Sequence, residues 1–108
     1  MTLHFNKPYL DLDDKPVKVN DGKDINLGWF LAQVMSQDIG PSGKDAFKID
    51  SAMRIAKALH GGKPLEVTDS EAELINDAIL GSSAIISLKH QLLAVVKGAK
   101  LAGEVKTR

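Results

Sequence analysis

Between residues 26 and 97 the apolar side chains recur at helical spacing, and glycine-rich stops break that spacing three times. The stops are Gly40-Pro41-Ser42-Gly43, Gly61-Gly62 with Pro64 close behind, and Gly81. Glycine leaves the helical basin at little cost and proline cannot continue a helix, so such stops cut a chain into separate helices. The first helix is predicted from Asn26 to about Gln37. Leu27, Phe30, Leu31, Val34 and Met35 stand at i, i+3, i+4, i+7 and i+8 and form one buried stripe. The second runs from about Lys44 to His60, with Ile49, Ala52, Met53, Ala56 and Leu59 inward. Thr68-Asp69-Ser70-Glu71 is a capping box, and it opens a third helix with Leu74, Ile75, Ala78 and Ile79 inward. Ser82 or Ser83 is the expected cap of a fourth helix ending near Lys97. Leu65-Glu66-Val67 is too brief to assign as a strand.

The fourth helix has a broader apolar face than the others. At 100° per residue, Ile85, Ile86, Leu88, Leu92, Leu93, Val95 and Val96 cover roughly 180° of its circumference. Two arrangements use such a face: a central helix packed on several sides, or a helix that also lines a partner or homodimer contact. Ile86 and Leu93 mark the edge of the face and are candidate contact residues.

Upstream, residues 11–24 read Asp-Leu-Asp-Asp-Lys-Pro-Val-Lys-Val-Asn-Asp-Gly-Lys-Asp, an acidic stretch with the look of a calcium loop. An EF-hand supplies oxygens at fixed positions, with glycine at position 6 and glutamate at position 12. Counting from Asp11 puts Lys15 at position 5, Pro16 at 6 and Gly22 at 12; counting from Asp13 or Asp14 puts Lys18 or Val19 at 6. A lysine ammonium in the cage opposes a cation, so the motif fails in each register. Asp13-Asp14-Lys15-Pro16 and Asn20-Asp21-Gly22-Lys23 instead carry turn signals. Tyr9-Leu10-Asp11-Leu12 and Val17-Lys18-Val19 alternate apolar with polar, as the limbs of a hairpin do. The fold expected is mainly α with a small β component: an N-terminal hairpin at about 5–25 and a bundle of about four helices. One domain should span residues 1–97, followed by a flexible basic tail, 98–108.

Charge and composition narrow the function classes. Fourteen basic side chains balance fourteen acidic ones, but unevenly along the chain. Residues 63–96 carry a net charge of −3, and residues 97–108, with Lys97, Lys100, Lys106 and Arg108 against Glu104, a net of +3. A basic tail of this kind offers a nucleic-acid contact, or is simply solvated. A helix-turn-helix reading of residues 52–75 fails: its recognition helix would carry Asp69, Glu71, Glu73 and Asp77 and no base, and phosphates would repel it. The sequence therefore argues against nucleic acid, leaving the tail as the alternative site. There is no cysteine, which removes disulfides, thiolate metal sites and cysteine nucleophiles. His4, His60 and His90 fall in different elements with no spaced carboxylate partner, and no glycine motif cradles a phosphate. No catalytic residue, cofactor or metal ligand is assigned, and an enzyme is not expected. No apolar run approaches the roughly 20 residues of a membrane helix, so a cytoplasmic protein is expected.

Trp29, the only tryptophan, lies nearly opposite the inward stripe of the first helix, beside Gln33 and Ser36. Either the 9–19 hairpin folds over the indole through Tyr9 or Val17, or Trp29 and Gln33 anchor a partner, as tryptophan often does at binding hot spots.

The stretches LDLDDKPVKVNDGKDINLG and AMRIAKALHGGKPLEVTDSEAELINDAI resemble small helical proteins encoded in tailed-phage and prophage gene clusters. In those proteins a short extended start with an aspartate-glycine turn leads into helices, one opening with Val-Thr-x-x-Glu as at Val67–Glu71. The resemblance implies a non-enzymatic role in a host cell: a tail-assembly chaperone or other virion-assembly factor, or an inhibitor that binds a host protein. It brings no catalytic residue with it.

Overall fold

A computed structural model of the chain describes residues 1–18 and 22–106; of Ser42 and residues 99–106 it describes the backbone alone. The protein is mainly α, a helical bundle with a small antiparallel N-terminal hairpin. The elements are β1 (Thr2–Leu3), α1 (Leu27–Gln37), a 3₁₀ turn (Gly40–Lys44), α2 (Ala46–His60), β2 (Leu65–Glu66), α3 (Asp69–Gly81) and α4 (Ile86–Lys106).

Each of the first three helices starts on a side-chain cap. The Asn26 carboxamide oxygen accepts from the Gly28 amide at 2.8 Å and opens α1. Residues 5–7 cross this start closely: Phe5 O accepts from Gly28 N at 2.9 Å, and Lys7 O from Leu27 N at 2.8 Å. A Cβ at position 28 would stand 3.1 Å from the Asn26 oxygen and 3.3 Å from Phe5 O, so glycine makes the crossing possible. Asp45 caps α2 by accepting from the Phe47 and Lys48 amides. The Thr68 hydroxyl accepts from Glu71 N at 3.2 Å while the Glu71 carboxylate accepts from Thr68 N at 3.0 Å. That is the capping box expected from the sequence, and Glu71 also pairs with Arg54, tying α3 to α2.

The buried faces follow the expected stripes in α1 and α3. Leu27, Leu31 and Met35 are buried, with Ala32 beside them, and Phe30 and Val34 are half-buried at the edge. Leu74, Ile75, Ala78 and Ile79 are all buried. Helix α2 is rotated from expectation. It buries Ala52, Ile55, Ala56 and Leu59, while Ile49 and Met53 are 43% and 40% exposed. Apolar residues surround this helix on most sides, so its periodicity leaves the phase open and packing against α1 and α3 chooses it.

Helix α4 differs most. Ser82 ends α3, its hydroxyl donating to Ile79 O at 2.8 Å, so neither Ser82 nor Ser83 opens the next helix. The first amide bonded back into α4 is that of Lys89, to Ile85 O at 3.1 Å. The helix then passes its expected end at Lys97 and runs to Lys106. Gly98 and Gly103 cost about 1 kcal/mol each against alanine, and the intervening Ala, Lys and Leu residues favour the helix. Among the described residues α4 rests on α3, α1 and β1 and not on α2. It is a flanking helix, burying Leu88, Leu92 and Val96, with Leu93 and Val95 half-buried.

The N-terminus closes the core from a distance. Thr2 pairs with Glu66 and Leu3 with Leu65, antiparallel, which seats Leu3 and Phe5 at 0% and 1% exposure. The hairpin that follows has a third limb. Backbone bonds run from Tyr9 N to Ile25 O (2.7 Å), Ile25 N to Val17 O (2.9 Å) and Val17 N to Tyr9 O (2.9 Å), closing a ring of three residues eight apart. At the first turn the Asp11 carboxylate accepts from the Asp13 and Lys15 amides at 2.8 and 3.0 Å, and Asp14 takes φ +60°. At the second, Lys18 pairs with Asp24 at 2.7 Å, and Gly22 takes φ +82°; Val19, Asn20 and Asp21 lie outside the described residues. The carboxylate of Asp11 therefore shapes a turn.

Candidate protein-binding surface

Residues 6–18 and 22–26 include no buried residue, so the hairpin depends on what it rests against. Its anchors are polar and come from one side of α4. Gln91 bonds both backbone groups of Leu10, accepting from its N–H at 2.9 Å and donating to its carbonyl at 2.8 Å. The carboxamide thus stands in for a neighbouring strand. One helical turn earlier, Ser87 Oγ lies 2.5 Å from the Tyr9 hydroxyl. The Tyr9 ring meets Phe30 edge-on, with centroids 6.3 Å apart and planes at 77°. The hairpin thus places Tyr9 against Phe30, and the cover expected for the indole of Trp29 falls on its neighbour.

Trp29 is 47% exposed. Its only described ring contact is with Phe30, tilted at 48° with centroids 6.1 Å apart. The rings form a short series, Tyr9, Phe30, Trp29, with the last half in solvent. Trp29, Gln33 and Ser36 follow one line of α1 at i, i+4 and i+7. Gln33 and Ser36 line a groove between α1 and α2 whose other wall is Met53, Lys57 and His60. Ser36 and Met53 also border a second hollow, toward Ile39 and Ile49, so the groove continues along the helix pair. Gln33 Oε1 accepts from Gln37 Nε2 at 3.3 Å, which leaves the two donors of the Gln33 amide nitrogen for other partners.

The two α4 candidates part company. Ile86 is 84% exposed and, with Leu80 (56%) and Ile85 (63%), forms an apolar corner between α3 and α4. Leu93 is half-buried against the core and belongs to the bundle. The groove lined by Gln33 includes no α4 residue, so Trp29 with Gln33 and Ile86 with Leu93 do not form one lining. Of the basic residues, Lys97 is exposed on α4; Lys100 and Lys106 lie where only the backbone is described, and Arg108 lies outside the described residues.

The sequence reading found Trp29 and Gln33 from helical phase alone. It missed Met53, Lys57 and His60 as the facing wall because it turned Met53 inward. It missed Ser87 and Gln91 because nothing local marks a polar residue that bonds a segment some eighty positions away. Among the described residues, no group of three or more His, Cys, Asp or Glu side chains is placed to hold a metal ion, and no helix is long and apolar enough to cross a membrane. The surface defined is therefore a shallow groove between two helices, lined by Gln33, Ser36, Met53, Lys57 and His60, with the exposed Trp29 one turn before Gln33 on α1. Comparison with protein-family models, curated protein sequences and solved structures finds no match to this chain.

Proposed function

We propose that this protein acts by binding another protein, without catalysis of its own, and that the partner docks on the α1–α2 groove beside Trp29. The observation that carries this reading is the half-exposed indole. A large apolar ring left in water loses most of the stabilisation that burial would give it, and tryptophan at a groove edge is suited to fill a partner's pocket. Met53 adds a deformable apolar wall, and the Gln33 amide a directional polar contact. The likeness to small tailed-phage proteins then favours a virion- or tail-assembly factor, or an inhibitor of a host protein, working in the host cytoplasm.

The test uses the whole protein as bait in host-cell and phage-infected extracts, beside Trp29→Ala. Proteins retained by the wild type are identified and bound again as purified components. The reading expects at least one direct partner whose affinity falls by about 100-fold in Trp29→Ala, a hot-spot loss. Partners that bind both forms equally would overturn it.

A further inference from the structure

The groove wall on α2 and the outer face of α3 carry mirror-image charge patterns. Asp50, Met53, Lys57 and His60 follow one stripe of α2, and all four are exposed. On α3, Glu73, Asp77 and Leu80 follow one exposed stripe, and the Lys89 ammonium sits at its end, 3.3 Å from Leu80 O. Among the described residues none of Asp50, Lys57, His60, Glu73 and Asp77 has an ion-pair partner. The spacing matches as well. Met53 to His60 and Leu80 to Glu73 are each seven residues, about 10.5 Å of helix rise.

We propose that, before its partner protein binds, the groove is occupied by a second copy of this chain, which lays its α3 stripe antiparallel along α2. With Leu80 against Met53, Asp77 falls beside Lys57, Glu73 beside His60, and Lys89 beside Asp50. The reverse orientation sets Asp77 against Asp50 and takes Lys57 past the end of α3, so charge alone selects the antiparallel arrangement. The corner formed by Leu80, Ile85 and Ile86 supplies the apolar surface, and Trp29 lies at the groove it enters. The contact joins two different surfaces, so each copy keeps one of them free and assembly proceeds head to tail, into a ring if it closes and a filament if it does not. The inference rests on the groove being a docking surface.

The experiment follows mass by sedimentation at low and high salt for three proteins. The wild type should grow with concentration at low salt and dissociate as salt screens the charges. Lys57→Glu with His60→Glu disables the groove; Glu73→Lys with Asp77→Lys disables the stripe. Each double variant alone should associate at least ~10-fold more weakly than the wild type. Mixed, they should associate again and grow with concentration, because the intact groove meets the intact stripe and the two reversed surfaces are also opposite in charge. All four side chains are exposed, so the variants should fold, which circular dichroism checks; Lys57→Gln and Asp77→Asn give milder versions if a reversal unfolds the chain. A monomeric wild type at low salt, or a mixture that stays monomeric, overturns the self-contact. Either result is distinct from failure of the groove itself, which is read by Trp29-dependent binding of a foreign protein.

Discussion

Trp29 and Phe5 are both large aromatics, and the structure gives them opposite duties. Phe5 is 1% exposed in the core, and Trp29 is 47% exposed at the groove. Truncation should separate them. Phe5→Ala should lower stability by about 3–5 kcal/mol, the usual range for a buried aromatic, and Trp29→Ala by about 1 kcal/mol. Urea denaturation followed by circular dichroism measures both. A loss near 3 kcal/mol at Trp29 would mean that the indole is a core residue. The outward phase of Trp29 was legible in the sequence because five apolar residues fix the inward side of α1. The phase of α2 was not, since Ile49 and Met53 lie on one side of the helix and Ile55 nearly opposite, and only the neighbouring helices decide which side turns inward. Ile55, fully buried, was therefore missed.

Elements follow the same division between local and distant causes. The capping box of α3 was legible because its partners are three residues apart. Thr68→Ala should cost about 1 kcal/mol. Glu71→Ala should cost more, since that carboxylate both closes the box and pairs with Arg54; equal losses would show the ion pair to be energetically silent. The hairpin's turns were equally legible, but its third limb and its attachment to α4 were not. Both depend on residues far apart in the chain, and Ser87 and Gln91 are ordinary polar positions until Leu10 is placed beside them. Because the amides of Tyr9, Val17 and Ile25 close one ring, they should exchange with solvent as a group. Gln91→Ala should speed all three by about 5- to 10-fold, the equivalent of a hydrogen bond of about 1 kcal/mol, and leave Ile75 and Ile79 protected. Exchange of the three at unrelated rates would show that the ring does not open cooperatively. The extension of α4 to Lys106 was hidden by Gly98, which punctuates a helix in most sequences and does not here.

For the whole molecule, the large apolar side chains left exposed among the described residues are Leu12 on the hairpin, Phe47 at the start of α2, Trp29, Ile49 and Met53 along the α1–α2 groove, and the corner at Leu80, Ile85 and Ile86. Strand β1 seals the base of the core, α3 carries the most completely buried stripe, α4 flanks it, and the hairpin bridges α4 to Phe30. Of the exposed surfaces, the groove beside the indole of Trp29 is the proposed docking site. The direct measurement is photo-crosslinking in cells from a reactive residue placed at Gln33, with one placed at Asp13 on the far turn of the hairpin as the comparison. A discrete crosslinked product from position 33, absent from position 13 and lost when Trp29→Ala is added, is the predicted result. Crosslinks of equal yield from both positions, or a position-33 product unchanged by Trp29→Ala, would contradict it.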